Sequence, residues 1–207
     1  MAIRDNRECR NAGTIEKRDA DDKALFFAGY ASTFEPYLLF TDGDMEFYEE
    51  IDRNAFANTD MTDVVFLRDH TGSVLARTKN GAIELSVDAH GLYTVTDLSR
   101  TERAREMAED IVAGNYTQMS FSFIVGDDTY IENGNRITRH INSITKLFDI
   151  SAVAFPANPG TDIGLSYRSL FDGVIEKREA ERLKSEMMAK AKARLKLRLK
   201  LEENHGN

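Results

Sequence analysis

The chain has 207 residues, 42% of them apolar, with 27 Lys and Arg against 35 Asp and Glu for a net charge of −8. One cysteine, Cys9, excludes an internal disulfide framework and a cysteine-rich zinc site, and the scattered histidines form no HExxH pair, which argues against a catalytic metal. No apolar run approaches the roughly 20 residues that span a bilayer, and the charged start MAIRDNRECRNAGTIEKRDADDK lacks the apolar core of a signal peptide, so a cytoplasmic protein with no membrane role is expected.

Residues 1–22 are charged, poor in apolar side chains, and expected to be disordered. From Lys23 the chain turns β-rich. ALFFAGYASTF has strand composition, DRNAFAN over 52–58 suits a short helical turn, and VVFLRDH reads as a short strand. Asn80-Gly81 is a hairpin signal, and AIELSVDAHGLYTVTDL reads as two strands about a turn at Ala-His-Gly. A helix follows, with Ser99 and Glu102 in a capping-box pattern, Ala104, Met107, Ala108, Ile111 and Val112 at helical spacing, and Gly114 at its end. MSFSFIV, a turn at ENGN, and RITRHINSITKL running into FDISAVAF complete the body, which Pro156, Asn158 and Pro159 close with turn chemistry. A mostly antiparallel β fold is expected, closed or nearly so, with a few helices.

The tail differs in charge. Residues 174–207 hold 10 Lys and Arg against 6 Asp and Glu, a net of +4, so the remainder carries −12. An acidic body with a basic tail does not point to nucleic acid. A helix is expected over about 173–188. The strict alternation KAKARLKLRLKL then gives a segment whose structure depends on a partner.

One residue sits oddly in this pattern. Asp149 lies in an almost wholly apolar strand, FDISAVAF, where an unpartnered carboxylate is costly. FLRDH and MSFSF supply His70 and Ser120, which with Asp149 are the residue types of a serine-hydrolase site. Strand alternation puts Met119, Phe121 and Phe123 on one face and Ser120 and Ser122 on the other. It also turns Asp69 away from His70, leaving Asp149 as the better partner. These residue types are common, and on them alone a backbone-bonded serine, a half-exposed histidine and a turn-bonded carboxylate are the favoured readings of the three positions.

Three longer blocks favour the site. FLRDHTGSVLARTKNGAIELSVDAHGLY, RTERAREMAEDIVAGNYTQMSFSFIV and RHINSITKLFDISAVAFPANPGTDI, in that order and spacing, resemble the histidine, serine and closing blocks of the prohead proteases of tailed bacteriophages. These are capsid-maturation serine proteases related to herpesvirus assemblin, and the resemblance runs from about Ala24 to Arg168. Thr71 stands where the family usually has Asp, Ser122 replaces the Gly of Ser-Phe-Gly-Phe and becomes a rival nucleophile, and Asp149 replaces a Glu one methylene longer.

The resemblance implies an α+β fold, a small and mostly antiparallel β-barrel flanked by helices as in assemblin, with a charged helical C-terminal tail. It implies a protease domain over 23–172 between a disordered segment (1–22) and the tail (173–207). It further implies a serine endopeptidase with Ser120 as nucleophile, His70 as general base and Asp149 orienting the imidazole, and no cofactor or metal. Because the imidazole must be neutral to act as a base, activity is expected to fall in acid. The implied substrates are the major capsid protein's delta segment, the scaffold and the enzyme itself, inside the prohead in the host cytoplasm, with a homodimer as a further expectation. The tail would serve for encapsulation or self-cleavage, or be a solvated helix. Two other readings remain: a non-catalytic head-assembly protein on the same fold, and a small-ester hydrolase, against which the missing GxSxG elbow counts.

Overall fold

A long hairpin organises the molecule. In the computed structural model, which describes residues 7–18, 25–154 and 167–205, β10 (Gln118–Asn133) and β11 (Arg136–Val153) pair antiparallel along their whole length. They are joined at Gly134–Asn135, where Gly134 takes φ +64°. That left-handed conformation favours glycine, and it explains the ENGN turn signal. Toward the C-terminal end of β11 the hairpin's apolar face carries Met119, Phe121, Phe123, Ile150 and Ala152, all in the main core. Phe121 and Phe123 stack at 4.7 Å between centroids. Each such fully buried ring contributes on the order of 1.5–3 kcal/mol of transfer free energy.

β11 is the spine of a seven-stranded sheet. One edge takes β10, and beyond it β1 (Glu8–Thr14). The other edge is shared by two parallel neighbours in succession. β5 (Met45–Ile51), which also pairs with β4 (Tyr37–Asp42), takes Arg136–Ile141. β6 (Val65–Arg68), hairpinned to β7 (Thr71–Arg77), takes Asp149–Ala152. The second sheet is antiparallel, in the order β2 (Glu16–Lys17), β3 (Phe26–Thr33), β9 (Gly91–Asp97), β8 (Ile83–Val87). Gly91 is needed for close approach, since a Cβ there would lie 1.9 Å from the Ser32 carbonyl oxygen. The two strands about Ala-His-Gly are found as expected, in β8 and β9.

The fold is α+β and mostly strand, but several expectations need correction. No closed barrel forms among the described residues. The far edge of β11 is divided between two short strands, so the sheet forks instead of closing, with β1, β4 and β7 at its ends. Asn80-Gly81 does not make a hairpin. Thr78–Asn80 is a 3₁₀ turn capped by Gly81 at φ +68°, and the strands on either side belong to different sheets. α1 (Glu102–Val112) is capped by Thr101, whose side chain accepts from the Ala104 amide, while Ser99 bonds to Asp97 instead. Ala104, Met107, Ala108 and Ile111 are buried as the periodicity requires, but Val112 is 65% exposed.

The N-terminal segment also departs from expectation. Residues 8–17, read as disordered, form β1 and β2. Their anchor is ionic. Arg10 donates to Glu49 at 2.5 and 2.8 Å and to Glu8 at 2.6 Å. Arg139 bonds to Glu8 at 2.6 and 2.9 Å, to Glu49 at 3.1 Å and to Asp128 at 2.6 Å. Glu49 is fully buried and also accepts from Tyr37. Burial alone would lower the Arg10 and Arg139 guanidinium pKa values, but the surrounding carboxylates reverse that and hold both above the ordinary arginine value.

The chain divides into two units, residues 1–164 and 165–207. The second is dominated by α2 (Asp172–His205), one continuous helix. The segment after Met188, read as dependent on a partner, therefore continues the helix: Lys, Arg, Ala and Leu are all strong helix formers, and here propensity overrides the period-two alternation. Pro156, Asn158 and Pro159 lie outside the described residues.

Candidate active site

The register of β10, β11 and β6 builds a polar patch from strand parity. Ser120 pairs with Ser151 and Ser122 with Asp149 across the hairpin, and directly opposed residues share a face. On the other edge β6 runs parallel, with Asp149 opposite Val65 and Ser151 opposite Leu67. β6 ends at Arg68, and the chain reverses through Asp69 and His70 into β7, so the tip of this turn comes down beside Asp149 and Ser151.

Asp69 and His70 have φ +47° and +57°. A two-residue hairpin with positive φ at both central positions is the I′ type, which suits Asn, Asp and Gly. Histidine there stores backbone strain, so the position is held by what the imidazole touches. The expectation that the strand runs on to His70 is therefore wrong. Strand parity therefore does not separate Asp69 from His70, but Asp69 is engaged elsewhere: its carboxylate accepts from the Ala154 amide at 3.3 Å.

All three sequence-predicted residues come together. His70 Nδ1 lies 2.6 Å from Asp149 Oδ1, and His70 Nε2 lies 2.6 Å from Ser120 Oγ. A carboxylate can only accept, so the shared proton is on Nδ1, and Nε2 presents its lone pair to the Ser120 hydroxyl. Ser122, the rival nucleophile, lies on the same face as Ser120 but donates to Asp149 Oδ2 instead of to the imidazole. The shorter aspartate reaches the ring because the parallel register of β6 sets the turn directly beside it.

Ser151 is the residue that sequence reasoning missed. Its hydroxyl lies 2.8 Å from Asp149 Oδ1 and accepts from the His70 backbone amide at 3.2 Å. The available signal was its position two residues after Asp149, on the same strand face.

Asp149 is 3% exposed. Burial pushes its carboxyl up, but hydrogen bonds from His70 and Ser122, the imidazole's charge and the bond from Ser151 outweigh that, and the group is held below the ordinary aspartate value. The site thus holds a fixed carboxylate, one imidazole tautomer and a serine hydroxyl in line, an arrangement able to move a proton from Oγ to Nε2.

Two linked results are expected. Asp149→Asn should lower turnover by about 10⁴, because the amide can donate to Nδ1 and select the wrong tautomer. Asp69→Asn should leave turnover unchanged, since asparagine keeps an acceptor for Ala154 and tolerates positive φ. The lowered Asp149 pKa also stabilises the fold above the ordinary value of 3.8, and that contribution is lost as pH falls through the lower folded value. Denaturant titrations of wild type and Asp149→Asn should differ at neutral pH and converge in strong acid.

The other candidate groups have separate roles. His90 sits in the β8–β9 turn, its amide donating to Asp88 at 2.7 Å. The His140 ring lies 3.3 Å from Asp52 and 3.4 Å from Glu50. Among the described residues, no cluster of three or more His, Cys, Asp or Glu side chains is placed to hold a metal ion, and no helix is long and apolar enough to cross a membrane.

No curated protein and no solved structure matches the chain. A family model does: that of the caudovirus prohead serine protease, over residues 13–173. The matched span takes in β2 to β11, and with them every strand and turn that carries the serine, the imidazole and the carboxylate. By that match, the chain belongs to the caudovirus prohead serine protease family, and so to the serine peptidases of phage capsid maturation.

Proposed function

We propose that Ser120, His70 and Asp149 are the catalytic residues of this peptidase, and that it removes the N-terminal delta segment of the major capsid protein, cuts the scaffold and cuts itself inside the prohead. The carrying observation is the hydrogen-bonded line Asp149–His70–Ser120, with both imidazole contacts at 2.6 Å. Ser120 Oγ attacks the scissile carbonyl while His70 Nε2 takes its proton. The tetrahedral intermediate collapses to an acyl-enzyme as the imidazolium returns that proton to the leaving amine. Water, deprotonated by His70, then releases the acyl product and regenerates Ser120. Asp149 fixes the tautomer and stabilises the imidazolium, and its own bonds from Ser122 and Ser151 keep it in place.

Co-expression with the major capsid protein from the same genome tests this reading. Wild type should shorten the capsid protein at its N-terminus, and Ser120→Ala should leave it full length while particles still assemble. Cleavage that survives Ser120→Ala would refute the assignment. Assembly that needs the protein while no cleavage occurs even with wild type would favour the non-catalytic head-assembly reading.

A further inference from the structure

The candidate nucleophile is sealed. Ser120 is 1% exposed, whereas the His70 side chain keeps 21% of its surface. No peptide carbonyl can reach an oxygen so buried until something moves. The protein's own backbone lies against it: in β1, Asn11 is in register with Ser120, and the Arg10 carbonyl oxygen lies 2.9 Å from Ser120 Oγ. The hydroxyl has one proton, and the Arg10 carbonyl competes for it with His70 Nε2 at 2.6 Å. A carbonyl whose oxygen faces Oγ presents a lone pair, not an electrophilic carbon, so the strand occupies the site without being set up for attack.

Resting on the reading of Ser120 as nucleophile, we propose that β1 is a built-in pseudosubstrate strand. It keeps the peptidase latent by filling the β10 edge on which an extended substrate must lie, with Arg10 in the seat that a basic substrate side chain takes beside Glu49.

Four observations support this. First, β1 ends the seven-stranded sheet, so its departure uncovers a run of backbone donors and acceptors on β10, the surface to which an extended peptide adds as a strand. Second, the ladder slips between Asn11 and Thr14, which separates the part of the strand lying on Ser120 from the part leading into β2. Residues 8–11 can therefore lift while β2 stays paired with β3. Third, the ion network divides without stranding a buried charge. Glu8 and Arg10 leave as a pair held at 2.6 Å, while Glu49 keeps Arg139 at 3.1 Å and Arg139 keeps Asp128 at 2.6 Å. The seat left beside Glu49 is anionic and lined by Tyr37, suited to a guanidinium or ammonium group. Fourth, the family match begins at residue 13, after the segment that lies on the serine.

The rate of phosphorylation of Ser120 by diisopropyl fluorophosphate tests the proposal, followed by intact mass and mapped by peptide mass spectrometry. Full-length Arg10→Gln, which loses the ion pair with Glu49 while Arg139 still holds Glu8 and Glu49, should label at least tenfold faster than wild type. A chain lacking residues 2–12 should label faster still if circular dichroism shows that it is folded. An excess of a peptide of residues 7–14 should slow that chain toward the wild-type rate, and the same peptide with alanine for Arg10 should not. Where the shortened chain does not fold, Arg10→Gln decides alone. Labelling of Ser120 in Arg10→Gln at the wild-type rate overturns the latency while leaving Ser120 as nucleophile. Equal slowing by both peptides overturns the seat beside Glu49. The absence of any Ser120 adduct in every folded variant overturns both the latency and the assignment of the nucleophile.

Discussion

Ser120→Ala is expected to lower capsid cleavage by about 10⁶, the scale on which loss of a nucleophilic serine disables a site whose residues act as a unit. Ser122→Ala is expected to cost only about tenfold. The contrast follows from where the two hydroxyls point. Ser120 Oγ is the group 2.6 Å from the imidazole nitrogen that carries the lone pair. Ser122 donates to the outer oxygen of Asp149. Losing Ser122 takes one charge-assisted hydrogen bond, worth about 1.5 kcal/mol, from a carboxylate that keeps His70 and Ser151. Both variants should retain their melting temperatures to within a few degrees. Initial rates of capsid cleavage measure the difference, and a deeper loss in Ser122→Ala than in Ser120→Ala would show the roles reversed.

Glu49→Ala should be the most damaging single change to the fold of the body. Glu49 is fully buried and accepts from Arg10, Arg139 and Tyr37. Its removal leaves two guanidinium groups, 3% and 5% exposed, with their positive charge under-compensated. Breaking a buried ion pair by deleting one partner typically costs about 3–5 kcal/mol. At a few degrees per kcal/mol for a body of this size, thermal melting should shift down by roughly 10 °C. A loss below about 1 kcal/mol would mean that the network behaves like an exposed one. The same variant removes the Arg10 hold on β1, so the melting curve and hydrogen exchange of residues 8–14 should change together.

Much of the site was legible because its determinants are local. Strand alternation in MSFSF separated the serines from the phenylalanines, and the serines do face Asp149 and Ser151 across the hairpin. The apolar surroundings of Asp149 correctly demanded a partner, and His70 is that partner. The sequence blocks around all three residues pointed to the family that the match over 13–173 establishes.

What stayed hidden depends on distant pairings. β1 reads as disordered because its apolar content is low. It is ordered by Glu49 and Arg139, 39 and 129 residues away from Arg10, and no local pattern announces that. The turn at Asp69–His70 lacks the Asn-Gly signal and so reads as strand, since the histidine occupies a backbone conformation its type disfavours. The division of β11 between β5 and β6, which leaves the sheet unclosed among the described residues, is a property of register that composition does not carry. In the tail, the alternation of charge and leucine over KAKARLKLRLKL weighs less than the helix propensity of the same residues.

In the proposed mechanism His70, held by Asp149, activates Ser120. Prolonged exposure of the full-length protein to a fluorophosphonate, followed by peptide mapping, tests it most directly. One adduct is expected, on Ser120, formed in wild type and lost in His70→Ala. An adduct on Ser122 or on any other serine, or labelling of Ser120 that persists unchanged in His70→Ala, would contradict it.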